Sequence, residues 1–187
     1  KVIYVGAAAD VESYMGAQTK IHDLKGRVMM PGFIDTHAHP ISGGAYAKAL
    51  SLDTFAGPQD WIKAVKDFAE ANPDSPLIFG YGFLASAFGP EGPTRQMLDQ
   101  VVPDRPVFIM DEGFHAGWAN TAAIEKLGIT KDTPDPTPGF NYYKRDKEGH
   151  PTGYFLEGTA GMAMDSLKVF TTENVTEGTD IIFDIMN

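Results

Sequence analysis

The 187-residue chain contains no cysteine. Disulfides, thiolate nucleophiles and cysteine-based zinc sites are therefore excluded, and the absence fits a reducing compartment. Positive charge is scarce too: 15 Lys and Arg stand against 25 Asp and Glu, giving a formal net charge of −10 and a pI of about 4.8. Such an acidic chain is a poor match for a nucleic acid or an anionic membrane surface as partner. No apolar run approaches the ~20 residues that a membrane helix needs, and no signal peptide is visible. These absences point to a cytoplasmic protein. Trp is limited to two residues, but 12 Phe, 7 Tyr and a hydrophobic content of 43% are enough for a sizeable core. The chain starts inside a strand-like pattern, Lys1-Val2-Ile3-Tyr4-Val5-Gly6, and stops on the apolar stretch 180–187, so it reads as a fragment.

What is present alternates between strand and helix signals. Residues 2–5, 19–24 and 27–30 read as short β elements, with a helix over 7–15 stopped by Gly16. The clearest helix is 58–71, where Pro58 suits the first turn and Trp61, Ile62, Val65, Phe68 and Ala69 recur at helical spacing. Buried strands are predicted at 77–79 and 107–110, and short helices over 94–100 and 120–127. Residues 140–145 and 152–155 flank Asp146-Lys147-Glu148-Gly149 as a hairpin, and helices are predicted over 158–168 and from 171 toward 187. Ile41-Ser42-Gly43-Gly44 reads as a flexible loop. Strands interleaved with helices place the chain in the α/β class.

The stretch around which this pattern is organised is Pro31-Gly32-Phe33-Ile34-Asp35-Thr36-His37-Ala38-His39-Pro40. Residues i and i+2 of a strand share a side, so a strand here would project His37 and His39 together. Two neutral imidazoles so placed form half of a transition-metal site. Taken alone they could equally be two surface histidines. Asp35 shares their side, deeper in, where it either orients a ligand or satisfies backbone groups. His115 follows the strand 107–110 at its C-terminal end, where α/β proteins commonly place chemistry.

Three ordered blocks carry a resemblance. Residues 28–39 resemble the strand-one signature of the amidohydrolase superfamily, written PGFIDxHxH. His115-Ala116-Gly117-Trp118-Ala119-Asn120-Thr121-Ala122-Ala123, followed by Leu127-Gly128-Ile129-Thr130, is similar to the branch with a long insertion after strand one, amidohydrolase family 3, to which formamide deformylases belong. Asp146, Gly149, Pro151-Thr152-Gly153 and Glu157 match that branch's RDxxGxPTGxLxE element. The resemblance implies the N-terminal part of a (β/α)₈ barrel. Residues 1–30 would belong to an accessory β-sandwich, 31–44 to the first barrel strand and loop, 45–156 to the insertion, and 157–187 to the return to the barrel.

The resemblance also implies one or two divalent metal ions, zinc foremost, and hydrolysis of a small amide- or formamide-like C–N bond by metal-activated water. His37 and His39 would hold the metal. Glu157 would bridge or ligate it, against the alternative of a solvated acid favoured by a helix dipole. His115 would contact the substrate or the attacking water, or else be a polar loop residue. Trp118 and Phe83 would line the substrate pocket or pack in the core. The family's later strands supply two more histidines and an Asp. A barrel takes about 250 residues, so a chain of this length is expected to be inactive alone, and to oligomerise or exchange strands through exposed edges. The competing reading is a non-catalytic α/β binding module with at most weak metal binding.

Overall fold

A computed structural model describes residues 1–37 and 39–186. The chain divides into two units, Lys1–Ala38 and His39–Asn187.

In the first unit none of the described residues is buried, and its one regular element is a 3₁₀ helix, Ala8–Tyr14. Tyr4 stacks on Tyr14 at 4.8 Å, and Asp23 accepts the Lys25 backbone N–H at 2.8 Å in a turn continued by Gly26. The segments 2–5, 19–24, 27–30 and the run into the histidines, expected as strands, carry none among the described residues, and the last is bent at Thr36 and His37. A strand is defined by ladder hydrogen bonds to a neighbour, and no strand pairing occurs among the described residues of this unit. Phe33 and Ile34 are 94% and 90% exposed. The histidine alignment expected from strand pairing is therefore not set locally, and Ala38 between them lies outside the described residues.

The second unit is built on a sheet. It runs α1 (Pro40–Ala45), β1 (Leu50–Ser51), α2 (Pro58–Ala71), β2 (Ile78–Phe83), α3 (Arg95–Asp99), β3 (Val107–Asp111), β4 (Ala116–Ala119), α4 (Thr121–Lys126), β5 (Tyr142–Arg145), β6 (Pro151–Leu156), α5 (Gly158–Ser166) and α6 (Thr172–Met186). Strand order is β1-β2-β3-β4-β6-β5, with β1, β2 and β3 parallel and the remaining pairings antiparallel. The loop expected at 41–44 is helical, entered at Pro40, whose fixed φ suits the first helical position. Strand β4 has no counterpart in the sequence reading, because Ala-Gly-Trp-Ala lacks both alternation and β-branched residues.

Alternation along the central strand sorts the core into two faces. Val107 and Ile109 pack with Trp118, Phe83, Leu98 and the Trp61, Val65 and Ala69 stripe of α2. Phe108 and Met110 pack with Phe155, with Ala123 and Ile124 of α4, and with Ala160, Ala163 and Met164 of α5. Because both faces are covered, β3 is a continuous apolar run rather than an alternating one. Buried Asn120 ties the layers together: its Oδ1 accepts the N–H groups of Val107 and Ala123, and its Nδ2 donates to the carbonyls of Val102 and Arg105. Helices α1 and α6 cross where Gly44 meets Gly178, so closely that a Cβ on Gly178 would lie 1.8 Å from the Gly44 carbonyl oxygen.

Candidate active-site clasp

The end of β3, the start of β4 and the end of β6 share one edge of the sheet, the carboxyl edge of the parallel strands. Between Asp111 and Ala116 the chain reverses in a tight turn. Asp111 Oδ1 accepts the backbone N–H groups of His115 at 2.7 Å and Ala116 at 2.8 Å, and its carbonyl accepts that of Phe114 at 3.2 Å. Phe114 holds φ of 59°, a left-handed conformation uncommon for a bulky residue. Burial pushes the Asp111 carboxyl pKa up, and the Ala116 and His115 N–H groups only partly offset this.

Register then makes the pair. Ala116 lies opposite Leu156, so the next residues outward, His115 and Glu157, meet. Glu157 Oε2 lies 2.9 Å from His115 Nδ1, and the Glu157 backbone N–H donates to the His115 carbonyl at 2.6 Å. Glu157 also has a left-handed φ, 54°, at the start of α5, and the next amide, Gly158, donates to Asn141 Oδ1 at 2.7 Å. Backbone strain of this kind persists only where the surroundings over-determine it; here hydrogen bonds on both sides hold it. The His115 side chain is 72% exposed and that of Glu157 36%, so the clasp is open to a ligand. The hydrogen bond to Glu157 and its negative charge raise the His115 pKa above 6.5, with Asp111 adding a lesser push. With Nδ1 engaged by the carboxylate, Nε2 is the nitrogen left for chemistry, as an acceptor when neutral and a donor when charged.

An aromatic shelf adjoins the clasp in sequence. Phe114 stacks on Tyr46 at 5.0 Å and lies 5.7 Å from Tyr81. Trp118 and Phe83, expected either to line a pocket or to pack in the core, are both fully buried, 5.9 Å apart, and the Trp118 indole N–H donates to the Thr94 carbonyl. Both side chains lie on the sheet face covered by α2 and α3.

His115 and Glu157 are thus brought together. In the first unit, Asp35 Oδ1 accepts the His37 backbone N–H at 2.9 Å, which satisfies a backbone group. His39 opens the second unit at the N-cap of α1, its carbonyl accepting the Gly43 N–H at 2.8 Å. Among the described residues, no three His, Asp or Glu side chains form a group that could hold a metal ion. The sequence reading missed Asp111 and the shelf. An acid closing an apolar run of four was a usable signal for Asp111; nothing local marks Tyr46 as a neighbour of Phe114.

Comparison with known proteins agrees with this architecture. Against an "Exoenzymes regulatory protein AepA" from Pectobacterium carotovorum the chain is 33% identical over 182 residues, covering 95% of itself and 39% of that protein. Against an N-substituted formamide deformylase from Arthrobacter pascens it is 34% identical over 167 residues, 87% of the chain and 30% of the enzyme. The crystal structure of an uncharacterized metal-dependent hydrolase from Pyrococcus horikoshii superposes with a TM-score of 0.56 at 26% identity, over 83% of this chain and 29% of that one. The chain spans 39% and 30% of the length of these two curated relatives. Residues 20–184 match the amidohydrolase family, and the chain belongs to that family.

Proposed function

We propose that this chain forms part of a metal-dependent hydrolase that cleaves amide- or formamide-like C–N bonds of small molecules. The observation that carries the reading is the His115–Glu157 clasp, an exposed imidazole oriented by a carboxylate at the carboxyl edge of the sheet, where α/β folds bind ligands. The likeness to the formamide deformylase and to the metal-dependent hydrolase supports the bond type and the metal. In this reading residues 45–156 are the insertion of a (β/α)₈ barrel and residues 157–187 the return to it.

His37, His39 and Glu157 are each donors of the kinds that catalytic zinc sites use, so each fits a divalent ion by chemistry and would be a ligand in this reading. The ion would supply water activation and polarisation of the scissile carbonyl. His115, through Nε2, would hold or move a proton at the reacting group, and Glu157 fixes the ring by accepting from Nδ1. Asp111 holds the turn that presents His115. The Phe114 and Tyr46 rings would exclude water from the apolar side of a substrate.

The competing reading, a non-catalytic module, draws on the lack of a gathered ligand set among the described residues. Both readings are tested by assaying hydrolysis of a panel of N-substituted formamides, with zinc added or chelated. A protein of the relatives' full length should turn over with zinc and stop with chelator, and the 187-residue polypeptide should not turn over and should self-associate in light scattering. A full-length protein loaded with zinc yet inert across the panel would sink the enzyme reading. Robust zinc-dependent hydrolysis by the 187 residues alone would overturn the expected inactivity.

A further inference from the structure

Away from the clasp, the sheet face that carries Phe79 borders an open cleft of about 580 Å³. That volume falls within the range of small-molecule sites, roughly 300–1,000 Å³. The end of α1 and the first half of α6 wall the cleft, held together by the Gly44–Gly178 approach. Its floor is apolar, formed by Leu77, Phe79, Leu167 and Val169, and Lys48, Lys126 and Lys168 line it with a single acid, Glu173. Three lysines against one acid reverse the balance of a chain with 15 basic and 25 acidic residues. Lys48 is paired with Glu177, whereas Lys126 and Lys168 have no ion-pair partner among the described residues.

Lys168 supplies a second, independent observation. Helix α5 ends with the Lys168 N–H on the Asp165 carbonyl and the Val169 N–H on the Met164 carbonyl, and Lys168 itself holds φ of 57°. This is the left-handed position after a helix that glycine ordinarily fills, because a Cβ is disfavoured there. The turn sets the Lys168 backbone at the rim of the cleft, which Lys126 also lines over the apolar floor.

We propose that this cleft binds a small amphipathic carboxylate, its apolar body against Leu77, Phe79 and Val169 and its carboxylate held by Lys126 and Lys168. Two available ammonium groups suit one carboxylate. A polyphosphate would meet Glu173 and would leave the apolar floor unused. The cleft involves none of Asp111, His115 and Glu157, so the inference stands apart from the hydrolase reading.

The test is an amide-resolved NMR titration of the 187-residue chain with octanoate, and with octan-1-ol as a neutral probe of equal length. Octanoate should give saturable shifts at Leu77, Val169 and Asn174 and bind about tenfold more tightly than the alcohol, since one charge-assisted contact is worth about that factor. Lys168→Gly should weaken octanoate about tenfold while melting no lower than the parent chain, because glycine relieves the left-handed turn. If it melts lower, Lys126→Gln, an exposed change on α4, decides by the same loss. Equal affinity for acid and alcohol, unchanged binding in both lysine variants, or no saturable shift through the millimolar range would overturn the proposal.

Discussion

The two units of this chain treat the same kind of residue in opposite ways. In the first, Phe33 and Ile34 stand 94% and 90% exposed on a segment outside any strand or helix. In the second, Phe108 and Ile109, also adjacent in sequence, are fully buried on opposite faces of one sheet. An apolar run is a strand only when neighbours take its hydrogen bonds and its side chains. The sheet unit provides both for its strands, and with them the register that sets His115 against Glu157. The apolar pair of the segment carrying His37, Phe33 and Ile34, is not buried within its own unit.

The largest test of this contrast is a pair of truncations. Trp118→Ala empties a site packed by Phe83 and Phe88 and should destabilise the sheet unit by about 3–5 kcal/mol. Phe33→Ala should stay within about 0.5 kcal/mol, the range of exposed positions. Urea denaturation followed by tryptophan fluorescence for the second variant, and by circular dichroism for both, measures the difference. Similar losses in the two variants would show that the first unit has a core of its own after all.

The same contrast explains what was legible beforehand. Helix α2 follows from Pro58 and its apolar spacing, β3 from an unbroken apolar run, and the hairpin of β5 and β6 from its turn residues, because each signal is local. Partnership is not local. The sequence could put His115 and Glu157 near the ends of two elements, but their meeting depends on β4, a four-residue strand with no pattern, inserted between β3 and β6. Trp118 shows the same limit: its sequence neighbourhood left lining and packing both open, and three residues along a strand from His115 were enough to carry it into the core.

Asp111 gives a test of intermediate size. Asp111→Ala strips the acceptor from two backbone N–H groups, those of His115 and Ala116, and should cost about 1–3 kcal/mol. Asp111→Asn keeps an acceptor oxygen and removes the charge that burial disfavours, so it should lie much closer to the parent chain. The pH dependence separates the two roles. A carboxyl pKa raised on folding favours the folded state most below its ordinary value of 3.8, and loses that contribution as pH rises through the raised value. Removing the charge should therefore flatten the stability profile across that acidic window, as thermal melts at stepped pH would record. An Asn variant as unstable as the Ala variant would mean that charge, not the acceptor, holds the turn.

The smallest effect is on the clasp itself. Glu157→Gln leaves the backbone bond from residue 157 to the His115 carbonyl in place but removes the carboxylate at Nδ1. The first cause of the raised His115 pKa then weakens and the second vanishes, so the value should fall back toward 6.5. The sign follows from linkage: a histidine pKa raised on folding stabilises fully below about 6.5 and loses that contribution as pH rises through the raised value. Because the ring is largely exposed, solvent screening leaves little of this in global stability. The change should instead appear in the titration of the His115 ring resonances by NMR, with the melting temperature nearly constant. A titration curve unmoved by the substitution would mean that the carboxylate does not orient the ring in solution. The sheet would then bring the two backbones together without making a working pair of the side chains.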